Sequence, residues 1–177
     1  MPAEPPELSA KAVSVRRART ADVPVVRNLL DSYARQGILL DKATVALYES
    51  IQEFWVAERD DNAEVVACGA LHVMWEDLAE VRTLAVNPDV KGAGVGHQVL
   101  GKLLQTARWL GVRRVFCLTF EVDFFAKHGF VEIGETPVDG DVYSELLRSK
   151  DEGVAEFLGL ERVKPNTLGN SRMLLHL

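Results

Sequence analysis

Leu84-Ala85-Val86-Asn87-Pro88-Asp89-Val90-Lys91-Gly92-Ala93-Gly94-Val95-Gly96 is the stretch whose reading decides the fold. It opens as the end of a strand, Ala79 to Val86, which Asn87-Pro88 stops. A glycine-rich loop from Lys91 to Gly96 follows, and a helix begins at its far end. Glycines there let the backbone take positive φ and approach a ligand closely. The free N–H groups at a helix start form an anion site, reinforced by the macrodipole. Lys91 adds a mobile positive charge at the loop's entrance. Such a loop suits a phosphate or pyrophosphate. It is not a Walker loop, because it ends Gly96-His97-Gln98 where that pattern needs Gly-Lys-Ser/Thr. Nor is it a dinucleotide fingerprint, which needs Gly-x-Gly-x-x-Gly after a first strand.

Working outward, the helix after the loop carries Val95, Val99, Leu103, Ala107 and Leu110 on one stripe, and Gly111 ends it. Upstream, Val13 to Arg19 alternates as a strand. Thr20-Ala21-Asp22 and Pro24 then start an amphipathic helix with Val23, Val26, Leu30 and Tyr33 on one face. A shorter helix runs from Asp41 or Lys42 to Ser50. Phe54 to Glu58 and Glu64 to Trp75 form a hairpin around Arg59-Asp60-Asp61-Asn62. Downstream come a buried strand, Arg114 to Phe120, a short helix, Val122 to His128, and a strand, Phe130 to Ile133. Residues 137–169 read as irregular apart from a helix near Val142 to Ser149. Ser171 to Leu177 is an apolar final strand. This order predicts an α/β (α+β) fold: one mixed, mostly antiparallel central sheet flanked by helices. Residues 13–177 form that domain, behind a flexible tail at residues 1–12.

The chain has 177 residues, 20 Lys+Arg against 26 Asp+Glu, a formal net charge of −6, and 47% hydrophobic residues. That length carries one domain with a full core. The acidic balance argues against a nucleic-acid binder, though a local positive site on an acidic protein still accepts an anion. No apolar run reaches the ~20 residues of a membrane span, and the proline-rich N-terminus has no secretory signal. Cys68 and Cys117 read as reduced thiols, and the expected location is the cytoplasm. His72, His97, His128 and His176 are scattered without metal-ligand spacing, so no metal is expected. Trp55, Trp75 and Trp109 read as core or half-buried anchors.

Lys91, Gly94 and Gly96, placed after Leu84-Ala85-Val86 and Pro88, fill a pattern that resembles the acetyl-CoA pyrophosphate loop of GCN5-related N-acetyltransferases (GNAT). Phe124-Phe125-Ala126-Lys127-His128-Gly129-Phe130 resembles that family's aromatic-x-x-x-Gly-Phe segment, and Arg16 to Asp22 is similar to its first strand and helix. The resemblance covers roughly residues 15–133 and implies the acyl-CoA N-acyltransferase fold. Ile38-Leu39-Leu40-Asp41-Lys42, Phe54 to Glu58, Ala67 to Leu71, and Gly169 to Leu175 resemble bacterial N-acetylglutamate synthases, most of all their short, single-domain class.

The resemblance implies transfer of the acetyl group of acetyl-CoA to the α-amine of L-glutamate, the first step of arginine biosynthesis. Glutamate's ammonium must lose a proton before it attacks the thioester. Glu80 is the candidate base, on the strand where the family often places a carboxylate; the other reading is a solvated strand carboxylate. By the period of two, Glu80, Arg82, Leu84 and Val86 share one strand face. A backbone N–H from Leu84, Ala85 or Val86, with Val86 foremost, would stabilise the thioester oxygen. The pyrophosphate would lie on Gly92, Gly94, Val95 and Gly96, with Ala93 lining the turn. Many family members place a tyrosine where this chain has Phe125, which lines the cofactor but cannot protonate the leaving thiolate. Cys117 could substitute, or could be core filler.

Two substrate carboxylates need fixed cations, for which arginine is well suited. Arg82, Lys42 and Arg172 are the candidates, with Ser171 beside the last. Glutamine, another small amine or a protein N-terminus are alternative acceptors. A non-catalytic CoA-binding module is the alternative of another class. The resemblance also makes a homodimer plausible.

Overall fold

Seven strands hydrogen-bond into one sheet in the order β1-β2-β3-β4-β5-β7-β6. The computed structural model describes residues 13–37, 42–159 and 170–177. The expected tail, Asp41 and residues 160–169 lie outside the described residues. The strands are β1 (Val13–Arg17), β2 (Phe54–Arg59), β3 (Val65–Trp75), β4 (Leu78–Val86), β5 (Arg114–Thr119), β6 (Val131–Glu132) and β7 (Ser171–His176). The helices are α1 (Val23–Arg35), α2 (Thr44–Glu49), α3 (Val95–Leu110), α4 (Val122–Ala126), α5 (Gly140–Leu146) and α6 (Glu152–Phe157). All pairings are antiparallel except β4 with β5. The mixed, mostly antiparallel sheet is therefore as expected.

α3 covers one face of the sheet. Val95, Val99, Leu103 and Ala107 are buried along its stripe against Ala79, Val81 and Val115. Gly111, at φ +85°, ends it. Leu110, expected on that stripe, is 47% exposed, and Trp109 is 80% exposed. Both lie in the last turn, where the helix has run past the sheet it packs on. Trp75 is also exposed, at the end of β3; only Trp55 is half-buried as expected. The opposite face is covered twice. α1 and α2 bury Val26, Leu30 and Leu47 over β2 and β3. α5 and α6 bury Leu146, Val154 and Phe157 over Leu78, Phe116 and Leu174. α6 lies in a stretch expected to be irregular.

Two local features shape the centre. β4 pairs with β5 only from Leu78 to Glu80, opposite Arg114 to Phe116, and the ladder goes no further. Parallel strands that part in this way leave a cleft between them. Second, β3 and β4 slip in register. Cys68 faces Ala85 and Ala70 faces Arg82, so β4 spends an extra residue there. Thr83 takes it up at φ +54°, a costly conformation for a β-branched side chain. One inserted residue exchanges the two faces of a strand. Leu84 and Val86 consequently pack toward α3 with Ala79 and Val81, while Ala85 joins the core under α1. The expected common face of Glu80, Arg82, Leu84 and Val86 is thereby corrected.

Candidate active site

The end of β4 leads into the glycine loop. Pro88–Val90 forms one helical turn, capped by the Asn87 side chain, which accepts a hydrogen bond from Asp89 N–H at 3.0 Å. Val90 is buried and anchors the turn. Gly92 and Gly94 have φ of +86° and +79°, and Gly94 is the residue before α3. This left-handed backbone turns the N–H groups of the loop toward the start of a 16-residue helix. The Tyr33 hydroxyl donates to the Val86 carbonyl at 2.6 Å, and Lys91 Nζ stands 5.5 Å from the Tyr33 ring centre. Tyr33 thus ties α1 to the strand end that the glycine loop grows from. No tyrosine occupies the family's motif position, but this one reaches the same region of β4.

The second motif folds against the loop's helix. Phe125 is buried, edge-on to Phe124 and Phe130. Phe124 instead meets the start of α3: its ring is stacked on His97 at 4.6 Å between centres. His97 Nδ1 and His128 Nε2 are 2.7 Å apart. Two histidines that looked scattered in sequence therefore form a pair. Burial, with the neighbouring His97, lowers the His128 pKa. Among the described residues no group of three or more His, Cys, Asp or Glu side chains is arranged to hold a metal ion.

Glu80 and Arg82 point to the other side of the sheet, into a cavity of about 350 Å³. It opens over the β4–β5 cleft, between α2 and α6. Glu80 is 5% exposed and Arg82 8%, so neither is a solvated strand charge. Arg82 Nη2 donates to Glu80 Oε2 at 2.7 Å and Nη1 to Asp151 Oδ1 at 2.8 Å. Burial alone would lower the Arg82 pKa; the charges of Glu80 and Asp151 overcome it and raise it. Asp151 also caps α6, accepting from Val154 N–H at 2.9 Å. Burial opposes its ionisation, but Arg82 and that N–H hold its carboxyl below the usual range. Gly153 lets this happen: a Cβ built there would collide with the Arg82 guanidinium.

Lys42 lines the same cavity. Burial, aided by the Arg82 charge, lowers its pKa, and no carboxylate among the described residues lies within ion-pair distance of it. Arg172, on β7, is committed elsewhere. It donates to the Phe157 carbonyl and lies over the Phe116 ring at 5.3 Å. Burial lowers its pKa. Ser171 pairs with Thr119 at the start of β7 and is not among the cavity-lining residues; its neighbour Asn170 is. Cys117 is buried, and burial together with Glu80 pushes its thiol well above the ordinary value.

Glu156, unmarked in the sequence reading, also lines the cavity and is only 7% exposed. Burial, with the charge of Glu80 behind it, pushes its carboxyl up to about 8. Its trace in the sequence is a lone carboxylate inside the apolar run Val154-Ala155-Glu156-Phe157-Leu158. Asp151, three residues ahead of Val154, has the spacing of a helix cap, and that spacing is its only signal in the sequence.

Comparison with known proteins agrees with this geometry. The acetyltransferase (GNAT) domain family matches residues 50–132. An amino-acid acetyltransferase of Mycobacterium tuberculosis is 60% identical over 162 residues, which is 91% of this chain and 92% of that protein. An amino-acid acetyltransferase of Neisseria meningitidis is 34% identical over 70% of this chain, which spans only 28% of that longer protein. Among solved structures, a Mycobacterium tuberculosis protein in complex with CoA and a second ligand superposes with a TM-score of 0.90 at 60% identity, covering 93% of this chain and 99% of that one. N-acetylglutamate synthase from Neisseria gonorrhoeae, complexed with CoA and N-acetyl-glutamate, gives 0.73 at 25% identity over 93% of this chain and 35% of its own. A glycine loop at a helix start, a parting of β4 from β5, and these relatives lead to one conclusion: the chain belongs to the GNAT acetyltransferases, among the acetyl-CoA-dependent amino-acid acetyltransferases.

Proposed function

We propose that the enzyme transfers the acetyl group of acetyl-CoA to the α-amine of L-glutamate, the step that opens arginine biosynthesis. One observation carries this: Lys42, a half-buried cation with no acid partner among the described residues, shares a cavity with the buried carboxylates of Glu80 and Glu156 on the face of β4 away from the phosphate-type loop. An amino acid needs both signs, a cation for its carboxylate and acids for its ammonium. The synthase of Neisseria gonorrhoeae, solved with N-acetyl-glutamate, supports glutamate as the acceptor.

The loop from Lys91 to Gly96 holds the pyrophosphate, with Leu84, Ala85 and Val86 along the pantetheine side. A backbone N–H at this end of β4 polarises the thioester carbonyl as its oxygen gains charge. Lys42 takes a substrate carboxylate. Glu80 and Asp151 fix Arg82 and place negative charge beside the incoming ammonium. Arg172 braces α6 against β7. The same proposal places the enzyme in the cytoplasm, supported by two buried free thiols.

Glutamine is the second acceptor to consider. Four carboxylates line the cavity, from Glu80, Asp151, Glu152 and Glu156, against the cations of Lys42, Arg82 and Lys150. That excess disfavours a second substrate carboxylate and suits a neutral amide. Steady-state kinetics on Lys42→Ala tests the placement. The expected result is a KM for the amino acid raised about tenfold or more, with the KM for acetyl-CoA unchanged. Unchanged amino-acid kinetics would remove Lys42 from the site.

A further inference from the structure

Glu80 is an awkward proton acceptor. Its carboxylate is buried and tied to the Arg82 guanidinium at 2.7 Å. Taking a proton there would break the ion pair and leave Arg82 with Asp151 alone. The neighbouring carboxylate is differently placed. Glu156 projects from α6 into the same cavity, and no cation among the described residues lies within ion-pair distance of it. Its hydrogen-bond partner is the Asn170 side chain.

We infer that Glu156 is a catalytic residue, the group that accepts the proton from the substrate's ammonium; the inference rests on the amino-acid acetyltransferase function proposed above. The charged groups around it are Glu80 and Arg82 on β4, Arg172 on β7, Lys150, Asp151 and Glu152 at the start of α6, and Lys42 ahead of α2. β5 adds only the apolar Leu118 to the cavity lining. Burial and the Glu80 charge push the carboxyl up, to about 8, against the smaller opposing pull of Arg82 and Arg172. A carboxylate with that proton affinity is far closer to an amine than an ordinary one, so the transfer costs little.

The step balances as follows. The α-ammonium gives one proton to a Glu156 oxygen. The freed lone pair forms the N–C bond at the thioester carbon. The C–S bond breaks, and its electron pair leaves on the CoA sulfur. The nitrogen's second surplus proton passes to that sulfur, giving the thiol. Glu156 then releases its proton to water.

Thiol release is measured against pH with acetyl-CoA and the preferred amino acid. The native enzyme's kcat/KM is expected to rise through a limb near pH 8. Glu156→Gln should abolish that limb and lower kcat by about 100-fold or more, with the KM for acetyl-CoA unchanged. Glu156→Asp should restore part of both. Retention of the rate and the limb in Glu156→Gln would overturn the inference, as would loss of the limb in Glu80→Gln alone. If Glu156→Gln fails to bind CoA, the native profile decides: absence of a limb near pH 8 also overturns it. No turnover of any amino acid by the native enzyme would instead overturn the proposed function, and this inference with it.

Discussion

At the scale of single residues, the site is built by what is absent as much as by what is present. Gly153 leaves room for the Arg82 guanidinium to pass over α6 and reach Asp151. Gly153→Ala should drive the guanidinium off both partners, leaving buried charges unpaired. Melting measurements should show a lower Tm, and kcat/KM should fall about tenfold or more; unchanged values would mean that Arg82 finds equal partners elsewhere. Glu156 makes a prediction of opposite sign. Its folded value, about 8, lies above the ordinary 4.5. A raised carboxyl favours the fold fully below the ordinary value and loses that contribution as pH rises through the folded one. Stability should therefore decline between about pH 5 and pH 8 in the free enzyme. Glu156→Gln should raise the Tm at pH 8 by several degrees, with the advantage gone near pH 4, while activity drops. A residue held for stability alone would lower the Tm at both.

At the scale of elements, the loop and α3 form one unit, which the proposed function assigns to the cofactor. Lys91→Ala should raise the KM for acetyl-CoA several-fold and leave the amino-acid KM alone, since the loop and the cavity lie on opposite faces of β4. Equal changes in both would show that the two sites are not separated in this way. This device was readable because spaced glycines, a strand before them and a 3.6-period stripe after them agree. The order of strands was readable for the same reason. The bulge at Thr83 was not. One extra residue in β4 leaves no mark on composition, yet it turns Leu84 and Val86 away from Glu80 and Arg82. α6 was missed because six residues span under two turns and Gly153 breaks the pattern. With α6 went Asp151, Glu152 and Glu156, three of the four carboxylates that line the cavity. Glu80, Arg82 and Lys42 were singled out from motif position, but the Arg82–Asp151 ion pair depends on a contact across 69 residues of sequence.

At the scale of the molecule, the net charge of −6 conceals two local arrangements. A positive loop end with Lys91 lies on one side of the sheet, and on the proposed function takes an anion; a mixed-charge cavity lies on the other and takes the amino acid. The sheet keeps them apart and the parting of β4 from β5 opens a cleft between them, through which, on the proposed function, the thioester meets the amine. Most of β4 takes part in this: Glu80 and Arg82 line the cavity, and Leu84 to Val86 lead into the glycine loop that the proposal gives to the cofactor. The Neisseria relatives carry the same unit within chains of which it spans about a third. The most direct test is a competition. The native enzyme is given acetyl-CoA with equal concentrations of glutamate, glutamine, aspartate, lysine and a short peptide, and the products are identified by mass spectrometry. Glutamate acetylated on its α-amine as the main product is predicted; acetylation confined to lysine or the peptide would contradict it.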